Sequence, residues 1–391
     1  MSSSPKDPLA PREDFPVLDE VVYLNTASIA VTSQVVRRAL QRFEEEVGGG
    51  GTVTFNDDVE TLAYEGPRRA AAELVGADPG DIAITTSATE ALNQVAWWLE
   101  PVAGENVVSV DIDFPSVTYP WMRIAEKTGV EVRLAPALAD PAAFSIEDLL
   151  DRIDDRTAAV CVSHVQYATG YRLDLRRLAE AAHAHDAILI VDATQSAGMV
   201  PIDVRADDVD VLVAGSYKWL CSAFGAAVCY LRPELAARFR PPFVGWRSRE
   251  DAFVFDADRL IVAPGARGME YSTVAYGAGI ALGAAIRYLL DAGVDRILEH
   301  DRALADAMFE GAARLGGRPM APSDPGARTG IAAVRFDGWD ARDLWEGLAA
   351  RGVYTSPRLG AIRFSPHLYN HQGDVEAALE ALEQVVSSPP D

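Results

Sequence analysis

Hydrophobic and polar positions fall into two textures along this chain. From about residue 59 to 231, six short apolar runs recur. They are IAIT at 82–85, NVVSV at 106–110, AAVCV at 158–162, AILIV at 187–191, VDVLVAG at 209–215 and AAVCYL at 226–231. The runs are rich in Val and Ile and nearly continuous rather than alternating. That is the pattern of strands buried on both faces of a mainly parallel sheet. Stretches of helical periodicity at 59–75, 89–99, 116–128 and 174–185 separate them. Strand–helix–strand order repeated in this way predicts a doubly wound α/β domain, with ligands bound beyond the carboxyl ends of the strands.

After about residue 235 the texture changes. RPPFVGWRSRED reads as an irregular loop. Helices follow at about 274–291 and 294–315, then a strand near 331–336, a helix at 340–351, a strand near 361–364 and a closing helix near 374–387. This order predicts a smaller α+β domain at the C-terminal end. Residues 1–14 are polar and proline-rich and read as a flexible tail.

Composition narrows the functions. The chain has 391 residues, enough for a large domain and a smaller one. Its 35 Lys and Arg stand against 58 Asp and Glu, a net charge of −23. Neither nucleic acid nor an anionic membrane surface is the expected partner of such a chain. The three cysteines, Cys161, Cys221 and Cys229, form no CxxC pair. With no apolar leader and no long apolar span, a reducing cytoplasmic setting is the default. No metal-ligand cluster stands out, and no metal is expected.

Four polar signals fall where predicted strands end. In TTSATEALN at 85–93, small and hydroxyl residues open a helix. The N–H groups of Ala88 and Thr89 would offer an anion site there, although an ordinary helix cap reads the same way. In DIDFPSVTYPW, Phe114 follows a strand and could stack on a ligand ring or simply fill the core. In VDATQSAG at 191–198, Asp192 ends a strand and Gln195 follows. Asp192 could hold a protonated ring nitrogen, or cap the next helix. In AGSYKWL at 214–220, Lys218 lies between Tyr217 and Trp219. An isolated lysine usually snorkels to water, but one in apolar company becomes a good amine nucleophile. The only other lysines are Lys6 in the tail and Lys127 after a helix. Anion loop, aromatic, aspartate and lysine, in this order, are the parts of a pyridoxal-5′-phosphate (PLP) site. A nucleotide fold would need GxGxxG or a Walker lysine after the first strand, and GGGG at 48–51 is neither.

With these motifs the chain resembles PLP-dependent enzymes of fold type I, and among them the class V aminotransferase group. That group includes cysteine desulfurases, selenocysteine lyases, kynureninases and isopenicillin N epimerase-like proteins. The resemblance runs from YLNTASIA at 23–30 to RFSPHLYN at 363–370. It implies a tail over 1–14, an N-terminal segment and large PLP-binding domain over 15–275, and a small domain over 276–391. It implies that Lys218 forms the Schiff base, Asp192 pairs with the pyridine nitrogen and Gln195 sits near the phenolic oxygen. Ala88, Thr89 and Tyr217 would hold the phosphate, with Phe114 on the ring face. Thr273, in MEYST, would reach the phosphate of a neighbouring subunit, which implies a homodimer with shared sites. Arg363 would bind the α-carboxylate of an amino-acid substrate, with Asn25 to Ser28 lining the pocket.

Two features depart from the desulfurase pattern. RGVYTSPRLGAIRFS carries no cysteine where group II desulfurases place their mobile-loop cysteine. Arg358 in that segment could instead meet a second acidic group on the substrate. His164, in SHVQYATG, reads first as a structural histidine and second as a catalytic one. The leading expectation is C–S or C–X cleavage of a cysteine-derived or related amino acid. Epimerisation and transamination are the alternatives, and a non-catalytic protein on a degenerate PLP fold is remote.

Overall fold

The computed structural model describes residues 7–322 and 324–387. A seven-stranded sheet forms the centre of the larger lobe. Its order is Ile82–Thr85, Ala227–Leu231, Val211–Gly215, Ile188–Asp192, Thr157–Ser163, Asn106–Val110 and Glu131–Ala135. All neighbours are parallel except Ala227–Leu231, which runs antiparallel to both strands beside it. The nearly continuous apolar runs have a direct cause. Val107, Ala159, Cys161, Ile190 and Val213 pack into one apolar layer. Val108, Val160, Val162, Leu189, Val191 and Leu212 pack into another on the opposite face. Successive side chains point to opposite faces, and both faces are covered.

The smaller lobe holds a four-stranded antiparallel sheet in the order Ser356–Arg358, Ala361–Phe364, Ala332–Phe336, Gly317–Pro319. Helices Val294–Arg314, Ala341–Ala349 and Gln372–Val386 share a core with it. The expected α/β and α+β parts are thus both present. Three details differ from the sequence expectation. The stretch 59–75 is two helices, Asp57–Leu62 and Glu65–Val75, with Tyr64 buried at the break. Glu131–Ala135 is an edge strand whose exposed face hid it from the apolar pattern. Val22–Tyr23 pairs in parallel with Val353–Tyr354, so the N-terminal segment crosses to the smaller lobe.

The flexible tail expected over 1–14 is a correction from Leu9 onward; residues 1–6 lie outside those described. The N–H groups of Leu9 and Ala10 both donate to the Leu368 carbonyl, at 2.8 and 3.1 Å. Arg12 pairs with Asp374 at 3.2 Å, and Phe15 is buried against Tyr369. A polar, proline-rich composition suits docking through backbone bonds and one ion pair, which no hydrophobic periodicity reveals. No single helix among the described residues is long and apolar enough to cross a membrane.

The outer edge of the sheet is closed by a buried ion pair. Arg68 donates to both carboxylate oxygens of Glu270, and Glu270 also accepts the Ile84 N–H at 2.9 Å. Both residues are almost fully buried. Removing one partner strands a charge in the core, which costs about 3–5 kcal/mol. Arg68→Ala, which leaves the Glu270 carboxylate with only the Ile84 N–H, should therefore lose about that much stability in denaturant unfolding, whereas Arg68→Met/Glu270→Leu should lose far less. Equal losses in the single and double variants would show that the pair is not the source of the stability.

Candidate active site

A cavity opens at the carboxyl ends of the parallel strands. It is lined by residues at or just beyond the ends of five of them, among them Thr89, Phe114, Ser163, Asp192 and Lys218. The chain reverses the order of its strands here, and strand ends leave backbone groups free for a ligand. The positions expected from sequence can be placed in turn. Ala88, Thr89, Phe114, Asp192, Gln195, Tyr217 and Lys218 all line this cavity. Arg363 and Arg358 stand at its edge rather than in its wall.

Lys218 is buried, and its Nζ lies 5.2 Å from the centre of the Phe114 ring and 5.7 Å from that of Tyr217. No side chain among the described residues accepts a hydrogen bond from it. Burial lowers its pKa to about 8; Asp192 raises it, and Arg363 and Arg358 lower it further. The amine is therefore partly neutral near neutral pH, the state in which it is a nucleophile or base. Its turn is locked from several directions. The Lys218 carbonyl accepts the Cys221 N–H at 2.8 Å, with Cys221 at φ +51°. The Tyr217 carbonyl accepts the Ala30 N–H at 2.9 Å.

Asp192 lies at the end of its strand with one oxygen accepting the Thr194 N–H at 2.8 Å. Burial pushes its carboxyl up, against the bonds to Thr194 and the charge of Lys218. A cationic ring nitrogen would favour its ionised form. Gln195 does not simply wait for a ligand. Its Nε2 donates to the Ala27 carbonyl at 2.9 Å and its Oε1 accepts from Trp219 Nε1 at 2.8 Å. It thus ties the N-terminal segment to the lysine turn and keeps one amide hydrogen for a ligand oxygen.

Helix Ala88–Leu99 starts at the cavity. Ser87 is its cap, accepting the Glu90 N–H at 3.1 Å. Ala88 and Thr89, as the first helical residues, have no intrahelical partner for their N–H groups. The Thr89 hydroxyl lies 2.7 Å from that of Ser116. Tyr217 stacks on Phe224 with centroids 4.6 Å apart. Together these make an anion cradle: free N–H groups, two hydroxyls and the positive end of a helix dipole. Gly225, at φ +96°, lines the wall opposite without adding bulk. A cradle for phosphate, an aspartate for a ring nitrogen and an unpartnered amine in one cavity fit pyridoxal phosphate.

At the edge, Arg363 donates to the Tyr167 carbonyl at 2.7 Å and to Ser28 Oγ at 2.6 Å. Arg358 reaches the same Ser28 Oγ at 3.4 Å. Asn25 bridges to Ser365, and its Oδ1 is buried without a partner. Two expected residues lie elsewhere. Thr273 is exposed, outside the cavity, with its Oγ1 accepting from Trp246 Nε1 at 3.1 Å. His164 lines a different cavity beside Arg172 and Asp174. Burial lowers its pKa to about 3, so it is neutral. Its N–H, holding the Asp192 carbonyl at 3.0 Å, gives it a structural place.

Sequence reading missed two acidic groups. Asp113, next to Phe114, accepts from Ser163 N at 3.2 Å and Gln166 Nε2 at 2.9 Å. Burial pushes it up to about 6. Its position directly before the aromatic was the available signal. Asp301 binds His367 Nδ1 at 2.7 Å, and His367 Nε2 lies 3.2 Å from the Trp219 carbonyl. Burial opposes charge on His367, but Asp301 overrides it and lifts the pKa to about 10. The two residues are 66 positions apart, so no local motif could announce them.

The amine carries a pH signature. Its pKa is depressed, so it is charged below about 8 and neutral above. In cofactor-free protein, reductive labelling of Lys218 by a small aldehyde should rise with pH through a midpoint near 8. A midpoint near the ordinary lysine value, ~10.4, would mean the slot is open to water.

The chain is similar over almost its whole length to proteins of one family. Residues 21–377 match the family Aminotransferase class-V. An uncharacterised aminotransferase of Bacillus subtilis, YcbU, is 32% identical, covering 95% of this chain and 96% of its own. A probable cysteine desulfurase of Synechocystis is 29% identical, covering 96% and 94%. Among solved structures, the apo cysteine desulfurase of Thermococcus onnurineus superposes with a TM-score of 0.87 at 25% identity, covering 96% of this chain and 97% of that one. The cystine C–S lyase C-DES, at 23% identity and a TM-score of 0.86, shares the fold over 96% of this chain and all of its own. A match of this length, with relatives of nearly the same size, makes the chain a member of the class V aminotransferase family and a pyridoxal-phosphate-dependent enzyme.

Proposed function

We propose that the protein is a lyase that cleaves a C–S or other C–X bond at Cβ of a cysteine-derived or related amino acid. The observation that carries this reading is the placement of the cysteines. Cys161, Cys221 and Cys229 are all buried, and none lines the cavity. A desulfurase that takes sulfur onto its own thiol needs a cysteine at the substrate. Cleavage that releases the leaving group does not. Relatives named as probable cysteine desulfurases, such as that of Synechocystis, support a cysteine-like substrate, while YcbU, an uncharacterised aminotransferase, leaves the reaction open.

Bound pyridoxal phosphate supplies an electron-withdrawing ring that stabilises negative charge at Cα. The chain supplies the rest. Arg363 holds the α-carboxylate in a charge-assisted fork, with Ser28 and Asn25 beside it. Lys218 is the only amine in the cavity and moves the proton at Cα. Asp192 would keep the ring nitrogen protonated, and Phe114 would cover the ring. Ala88, Thr89 and Tyr217 take the phosphate. Among the lining residues Lys218 is the only strong base not assigned to the ring, which favours one-base chemistry over epimerisation by a pair of bases. Thr273, exposed and aligned by Trp246, is assigned to a second copy's phosphate, so the working unit is a homodimer. Size-exclusion chromatography with light scattering would read a single-copy mass if that assignment is wrong.

The deciding experiment gives purified holoenzyme a panel of S-substituted cysteines and follows pyruvate, free thiol or sulfide, and α-proton exchange. Pyruvate in step with the thiol supports the lyase. A keto acid that retains sulfur would make the enzyme an aminotransferase, and inversion at Cα without cleavage an epimerase. Lys218→Ala should drop turnover by at least a thousandfold, and borohydride should no longer attach cofactor there. Arg363→Ala should weaken amino-acid binding while pyridoxal phosphate stays bound. Loss of cofactor in that variant would mean the arginine is structural.

A further inference from the structure

Among the described residues three arginines are buried: Arg68, Arg247 and Arg363. Arg68 is neutralised by Glu65 and Glu270, and Arg247 by Glu60. Arg363 has no carboxylate partner among the described residues. Its bonds go to the Tyr167 carbonyl and to Ser28 Oγ, and its Nε is buried without an acceptor. A buried charge without a counter-ion is expensive to hold unless a ligand provides one.

A second guanidinium makes the position less favourable still. Arg358 and Arg363 sit on adjacent antiparallel strands, with Arg358 opposite Ala361 and Arg363 opposite Ser356. Both reach the one Ser28 hydroxyl. Arg358, too, has no carboxylate partner among the described residues; its other bond is to its own neighbour's carbonyl, Pro357 O, at 2.7 Å. A single hydroxyl cannot neutralise two cations. The only carboxylate lining the adjacent cavity is Asp192, which lies against the ring position and Lys218. Asp113, behind Phe114, is already engaged by Ser163 and Gln166. The like charge of Arg358 is felt at Arg363, whose pKa burial and Arg358 together lower to about 9, which still leaves it charged at neutral pH.

One α-carboxylate answers one of these two charges. We propose that Arg358 answers a second, and that the preferred substrate is a short amino acid whose side chain carries its own acidic group. Because the two guanidinium groups share one small hydroxyl, the two acidic groups must be separated by only a few bonds. The geometry suits a carboxylate, sulfinate or sulfonate on the β- or γ-position. This deepens the proposed function and rests on its placement of the amino acid at Arg363.

The test uses isosteric pairs that differ by one charge: L-aspartate against L-asparagine, and L-glutamate against L-glutamine. Affinity is read on the holoenzyme by titration of the visible band and independently by calorimetry. At least one acid should bind tenfold or more tighter than its amide, and that preference should weaken as salt is raised. Arg358→Met should bring the two within about twofold by losing affinity for the acid only. Arg363→Met should weaken acid and amide alike. Equal binding of acids and amides by wild-type holoenzyme would overturn the proposal and leave the lyase reading intact. So would Arg358→Met weakening both members of a pair equally, because Arg358 would then belong to the α-carboxylate clamp. A protein that takes up no pyridoxal phosphate would remove both readings together.

Discussion

Everything in this site depends on holding one lysine amine out of water at the end of a strand. Left to itself, a lysine reaches for solvent, because its ammonium is strongly hydrated. Lys218 is prevented from doing so by bonds to the residues on either side of it. Ala30 holds the Tyr217 carbonyl, Gln195 holds the Trp219 indole, and His367 holds the Trp219 carbonyl. These partners come from the N-terminal segment, the large lobe and the small lobe. The amine is thus a property of the whole fold rather than of its own strand. The energetic consequence is the depressed basicity that makes it useful.

The same assembly explains why the two lobes are not independent in function. The large lobe brings the start of helix Ala88–Leu99, Phe114 and Asp192 to one edge of its sheet, around one cavity. The small lobe brings Arg363 and Arg358 on its own sheet. The segment from Asn25 to Ala30 runs between them, touching Ser365 on one side and the lysine turn on the other. Ser28 is where this segment meets the two arginines. The positive charge at the site edge is held in place by polar groups that carry no negative charge. That leaves the choice of counter-ion to the substrate.

His164 shows how burial separates look-alike residues. It is two positions from Gln166, which binds Asp113 beside the cavity, yet its ring lines a different cavity. Desolvation keeps it neutral. His367, equally buried, is charged because Asp301 faces it. Both histidines follow an apolar or small residue in sequence, and nothing in either local pattern separates them. A buried imidazole follows its nearest carboxylate, and that neighbour is set by packing.

The sequence by itself determined most of the elements and, through its resemblance to a family, the cofactor. Strands buried on both faces must be apolar at every position, so their runs are visible without a structure. Functional groups in such a sheet must sit where the apolar run stops, so Asp192 and Lys218 stand out at run ends. Tertiary structure decided what pairing across distance controls. It turned Ala227–Leu231 antiparallel, docked Leu9 to Asp14 on the small lobe, and gave Gln195 two protein partners besides any ligand. It also brought Arg358 and Arg363 onto one hydroxyl 330 and 335 positions away. Periodicity reports which face of an element is buried; only the folded chain fixes which charges end up without a counter-ion, because that depends on neighbours that share no local sequence.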